Sequence, residues 1–225
     1  MAGDYTRQIP RRGFALAMAA TILMMAAASA PSLFYPQIAE QLGLVPVATT
    51  LVFAVYTFTL LAALLYLGPL SDHIGRRPVV TAGSLALALS LAMFWFADSL
   101  ATLLVARALQ GLAAGLLIPA LSAMMIDFEP PSHPNIAALW NTIGPMIGLG
   151  TGALGAALLL DLTPEPTAAV FGPLVLAFLT VAATVWSTPE LVPKTRIRRG
   201  DLRPRFMVPL HLRRMFTAGV PAIIA

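Results

Sequence analysis

The chain has 225 residues, 58% of them hydrophobic and only 11% charged, with a formal net charge of +4 at pH 7. A soluble domain averages about 25% charged residues, so the composition excludes an ordinary water-soluble fold. The lack of cysteine excludes a disulfide framework and a thiolate metal site, and basic residues scattered between long apolar runs argue against nucleic acid as a partner.

A helix needs about 20 predominantly apolar residues to cross a hydrocarbon layer of about 30 Å. The first such run covers residues 13–35 and carries no charge. Arg11-Arg12, this run and Ala28-Ser29-Ala30 mimic a cleavable signal peptide. Pro31 directly after the site, and an apolar run continuing through Phe34, oppose cleavage. After the turn-like stretch 43–46, a second run lies within 47–70. The third covers 78–97, with Pro78 placed for a first helical turn. The fourth, 99–126, holds one charge, Arg107; the fifth covers 136–160 and the sixth 168–188. A seventh begins near residue 215 and is too short to span by Ala225, so the chain reads as truncated. The predicted fold is all-α: six transmembrane helices within 1–190, a basic linker over 191–214, and the start of a seventh helix over 215–225.

Apart from Arg107, every basic residue falls before the first run (Arg7, Arg11, Arg12), between the second and third (Arg76, Arg77), or after the sixth, from Lys194 to Arg214. The alternate connections hold Glu40, Asp98, Asp161 and Glu165 and no Lys or Arg. Cytoplasmic loops carry the Lys/Arg excess, which predicts a cytoplasmic amino terminus. The connection between the fourth and fifth runs fits least, since it carries Asp127, Glu129 and His133.

The most specific motif is Gly68-Pro69-Leu70-Ser71-Asp72-His73-Ile74-Gly75-Arg76-Arg77-Pro78, a tight connection between two spans. Gly75 can take a positive φ where the chain reverses. Asp72 can bond to helix amino-terminal amides or to the nearby guanidinium groups. In the fourth run, Arg107 stands inside a span, where a charge is costly and reads as functional; Gln110 lies one turn on, on the same face. Asp127 follows Arg107 by about 30 Å of helix, which places it level with Asp72 and Arg76. At a helix C-terminus it needs a cation beside it. In the fifth run Gly144, Gly148 and Gly152 recur every fourth residue, a pattern that lets another helix approach closely.

The loop matches the signature Gly-x-Leu-Ser/Ala-Asp-Arg/Lys-x-Gly-Arg/Lys-Arg/Lys of the major facilitator superfamily at Gly68, Leu70, Ser71, Asp72, Gly75, Arg76 and Arg77, and departs from it at His73. Arg107-Ala108-Leu109-Gln110-Gly111 resembles that family's Arg-x-x-Gln-Gly motif, so Arg107, Gln110 and Gly111 are its transport and coupling candidates. Ala30-Pro31, Tyr35-Pro36, Tyr56, Pro164-x-Pro166 and Thr188-Pro189-Glu190 are weaker echoes, and Ala153 stands where the proton-coupled antiporters carry proline. The resemblance implies two inverted three-helix repeats and a conformational gate built from the loop with Asp127. It also implies a cavity for which Met24, Met25, Ser29 and Asn141 are lining candidates with Arg107 and Gln110. The implied activity is secondary active transport of a small molecule in the cell (inner) membrane, as proton-coupled export of a drug or metabolite, with a missing six-helix C-terminal half as partner. An uptake permease, or a non-transporting sensor on the same fold, is the alternative. No acid lies inside any predicted span, so a relay carboxylate is expected in the missing half. No hydrolase, phosphate-binding or zinc motif occurs, and neither enzyme chemistry, cofactor nor metal is expected.

Overall fold

Proline placement decides where the first helix stops. α1 (Ala2–Ser29) gives way to a 3-10 turn (Ala30–Leu33) and then to the short α2 (Tyr35–Gln41). Pro31 has no N–H for the Ala27 carbonyl and Pro36 none for Ser32, so neither can continue an α-helical ladder. The apolar run predicted as one span over 13–35 is therefore broken near its end.

The computed structural model describes residues 2–191; the rest of the predicted linker and the seventh-helix start over 215–225 lie outside the described residues. α3 (Pro46–Leu67) opens on a proline at its first turn, where the missing N–H costs nothing. α4 (Leu70–Ile74) is a single turn and a half, and Gly75, at φ 102°, reverses the chain into α5 (Arg76–Trp95). α6 (Leu100–Asp127) is capped by Ser99, whose Oγ accepts from the Thr102 amide at 3.2 Å. α7 (Ile136–Leu162) follows Asn135 in a left-handed conformation, φ 69°. α8 (Pro166–Thr184) again opens on proline and runs into the 3-10 turn Val185–Ser187.

Six of these helices, α1, α3, α5, α6, α7 and α8, are long and apolar enough to cross a membrane. Their packing carries an internal symmetry. Apart from α5 on α6, the most extensive contacts are α3 with α6, α1 with α7, α5 with α8, and α1 with α6. Exchanging α1 with α6, α3 with α7 and α5 with α8 turns this set into itself, as two inverted three-helix repeats require. The symmetry is imperfect: α5 packs extensively on α6, whereas α8 barely meets α1. α6 is the most enclosed helix, and α3 and α7 the least. Apolar side chains such as Phe58, Met146 and Leu154 remain more than two-thirds exposed or close to it, at 72%, 68% and 67%, a surface that a lipid environment tolerates and water does not.

Candidate functional site

Two polar constellations interrupt the apolar bundle. The first lies at the end where α3 turns into α5, hereafter the basic end. Arg76 gathers three partners there. Its Nη1 donates to Asp72 and, at 2.8 Å, to the Ser71 hydroxyl; its Nε donates to Asp127 Oδ2 at 3.0 Å. The loop after α3 is thus tied to the foot of α6, and Asp127 meets the cation that its position at a helix C-terminus demands. Asp72 uses its carboxylate on Arg76 rather than on helix amides. Those amides are taken by Glu190, which sequence reasoning noted only as part of a weak echo. Its Oε1 and Oε2 accept from the Arg76 and Arg77 amides, each at 3.0 Å. This carboxylate caps α5 two residues ahead of the predicted start at Pro78 and joins the end of the sixth span to the loop. Gly75 is required twice over. Its φ is positive, and a Cβ there would sit 2.6 Å from Glu190 Oε2. His73 keeps its Nδ1 2.9 Å from the Pro69 carbonyl.

The connection from α6 to α7 obeys the same logic. Glu129 Oε1 accepts from the Ala137 amide at 2.9 Å, in the first turn of α7. A helix amino terminus favours a carboxylate, which gives the acidic character of this connection a local cause. Phe128 seals the same end. It is buried, and a Cβ on Gly13 would fall within 2.5 Å of its ring.

The second constellation surrounds Arg107, which is only 2% exposed. It enters α6 about 10 Å from the helix start and points inward instead of snorkelling to an interface. Its Nε donates to the Tyr35 hydroxyl and its Nη1 to Gln110 Oε1. Gln110 Nε2 donates to the Ala27 carbonyl at 2.8 Å. That carbonyl is the one that Pro31 leaves without a helical donor. Gln110 therefore repairs the break in α1, while Arg107 holds Tyr35 on its far side.

Four rings enclose the guanidinium carbon: Tyr35 at 4.9 Å, Phe94 at 5.1 Å, Tyr56 at 5.5 Å and Phe53 at 5.6 Å from the ring centroids. A desolvated cation–π contact is worth up to about 2 kcal/mol, and a hydrogen bond to a charged group about 1.5–3 kcal/mol. Together they match the ~2.5–3.5 kcal/mol that a charge costs at a helix centre. Among the described residues no carboxylate forms an ion pair with Arg107, and its Nη2 is buried without a partner. A cleft of ≈ 370 Å³, lined by Ser32, Tyr35, Thr49, Phe53 and neighbours, shares the Tyr35 and Phe53 side chains with this cage, and Arg107 is not part of its lining.

The remaining expected residues are dispersed. Gly111 was grouped with Arg107 for transport, but a Cβ there would meet Thr59 Oγ1 at 2.1 Å and the Tyr56 carbonyl at 2.5 Å; it is a close-packing contact of α6 on α3, with Gly115 one turn on against Ala63. Gly148 and Gly152 do the same for α7 on α1, with Cβ approaches of 2.3 Å to the Ile22 carbonyl and 2.4 Å to the Ala26 carbonyl. Gly144 is looser, its nearest neighbour being Ile22 at 3.9 Å. Met24 is enclosed in the bundle at 2% exposure, so it packs core here, as do Arg107 and Gln110, rather than facing an open cavity. Met25 lies in the α1–α7 seam against Gly148. Ser29 donates across the same seam to the Leu149 carbonyl at 3.0 Å. Asn141 is half-buried on α7. Among the described residues no His, Asp and Glu cluster could hold a metal ion.

A broken first span, an inverted repeat and a buried charge inside an apolar bundle define a multi-pass membrane protein of transporter architecture. The family model "Major Facilitator Superfamily" matches residues 17–224, and the chain belongs to that family. Relatives include the multidrug efflux pump LfrA of Mycolicibacterium smegmatis, 30% identical over 98% of this chain and 42% of that protein. The multidrug resistance protein MdtL of a Shewanella species is 30% identical over 84% of this chain and 49% of that protein. The puromycin resistance protein pur8 of Streptomyces alboniger is 29% identical over 64% and 30%. The chain spans about half the length of LfrA and MdtL.

Proposed function

We propose that the chain is the amino-terminal half of a secondary transporter that exports a small molecule by alternating access, coupled to protons. The observation that carries the reading is the Arg76 junction, which ties the signature loop to Asp127 on α6 at the end that carries Arg76 and Arg77. By the positive-inside rule that end is cytoplasmic. Alternating access rocks two halves about a midplane site, and a charge lock at one end of one half favours the state in which that end is closed. Gly68, Leu70, Ser71, Asp72, Gly75, Arg76, Arg77 and Asp127 form the lock, and Glu190 fixes its geometry. Arg107 and Gln110 hold the break in α1 and serve coupling. Asn141 faces the second half and the cargo. Residues 191–214 link the halves, and residues 215–225 open the second. The name of LfrA, a multidrug efflux pump, supports drug export as the direction.

The test is flux in vesicles holding the full-length transporter, with a pH gradient and a panel of fluorescent aromatic compounds. Wild type exports at least one of them, and a protonophore abolishes the flux. Arg107→Lys keeps the charge but loses the planar fork of donors, so it falls well below wild type at matched expression. Equal flux in Arg107→Lys, or flux indifferent to the protonophore, contradicts the reading.

A further inference from the structure

We propose that Arg107 anchors a binding site for an aromatic carboxylate, entered through the cleft between α2 and α3. Of the five N–H donors on the guanidinium, one on Nε and one on Nη1 have acceptors, in Tyr35 and Gln110, and Nη2 has none. Four rings cover its surroundings, and Nη2 is buried. The rings and the two neutral acceptors offset the burial of the charge, but among the described residues no acid pairs with it, and a carboxylate is the strongest acceptor for the N–H groups left over.

The chemical class follows from what is already filled. The aromatic cage is the kind of site that takes ligand cations, but Arg107 occupies it, so a cationic group meets like charge. A carboxylate meets an open donor. The cleft adds the rest. Tyr35 and Phe53 stand edge to face, ring centroids 5.1 Å apart, and line both the cage and the cleft. Phe53 is 44% exposed, so its ring can swing aside and join cleft and guanidinium without unpacking the bundle. The cleft is otherwise apolar with the hydroxyls of Ser32 and Thr49 at its wall, a lining that suits a flat ring with one polar substituent. As cargo this ligand rests on the transporter reading; as a ligand it does not.

Equilibrium dialysis of the 225-residue chain in lipid nanodiscs at pH 7 tests the site, with 2-naphthoate, 2-naphthylmethanol and 2-naphthylmethylammonium as probes. Naphthoate binds saturably and about tenfold or more tighter than either analogue, a step of one decade in Kd. Arg107→Gln removes that preference. Tyr35→Phe keeps the ring but takes the acceptor from Nε, which leaves Nε–H and Nη2–H on one edge for bidentate capture of the carboxylate; its naphthoate affinity rises. A gain of this kind cannot come from misfolding. Naphthoate no tighter than the alcohol, an unchanged Arg107→Gln, or a Tyr35→Phe affinity no higher than wild type overturns the proposal. Naphthoate binding without flux in the intact transporter leaves this site standing and removes the export reading; flux of amines without naphthoate binding does the reverse.

Discussion

Gln110 shows how one side chain can serve two neighbours that cannot serve themselves. It gives the Ala27 carbonyl the donor that Pro31 lacks, and it gives Arg107 Nη1 an acceptor. Replacing it by leucine keeps the volume and orphans both groups, each at about 1–3 kcal/mol. Gln110→Leu should therefore lower the thermal stability of the purified chain by several degrees. Gln110→Glu, which keeps the acceptor, should lose less. Equal melting of the two variants would show that the Arg107 contact carries nothing. Arg107 and Gln110 were legible as a pair because their spacing puts them on one helix face. Their partners were not legible. Tyr35 and Ala27 lie 72 and 83 residues away along the chain, and nothing local marks Phe53 and Phe94 as cage walls rather than ordinary core. Glu190 was hidden for the same reason, since its carboxylate reaches the Arg76 amide from 114 residues away.

At the scale of elements, hydropathy located all six spans, because length and apolarity are properties of a single segment. Glycine recurrence did less well, because it reports the opportunity for close approach and not the presence of a neighbour. Gly148 and Gly152 meet α1 backbone; Gly144, with the same spacing, meets only side-chain methyl and methylene groups at the edge of contact. Gly111, part of the Arg-x-x-Gln-Gly motif, and Gly115, which no motif marks, both seat α6 on α3. The two seams are equivalent under the internal repeat. Gly148→Ala should push α7 off the Ile22 carbonyl and cost about 1–3 kcal/mol of overpacking. Gly155→Ala, with nothing within 4 Å of its Cβ, should be neutral or gain up to about 1 kcal/mol from better helix propensity. Thermal melts of both variants in detergent decide the matter, and matching losses would mean that the seam is not set by backbone proximity.

For the whole molecule, six crossings and an inverted repeat give every other feature its direction. If the basic end is cytoplasmic, the Arg76 junction is an inner lock, the cleft beside Tyr35 opens outward, and the carboxylates of Glu129 and Glu190 cap helices on the inner side. The charge pattern predicted this arrangement from sequence, with the connection between α6 and α7 as the poor fit; Glu129 accounts for it, because an acid there caps a helix. The chain contains no cysteine, so single cysteines report their side directly. Ser71 is only 2% exposed and unsuited to labelling, whereas Ser132 and Glu165 are exposed in connections at opposite ends of the bundle. Cysteine at Ser132 should react with a membrane-impermeant maleimide only in inside-out vesicles, and cysteine at Glu165 only in intact cells or right-side-out vesicles. Labelling of both from the same side would contradict the six-crossing inverted arrangement, and with it the lock and the alternating-access account.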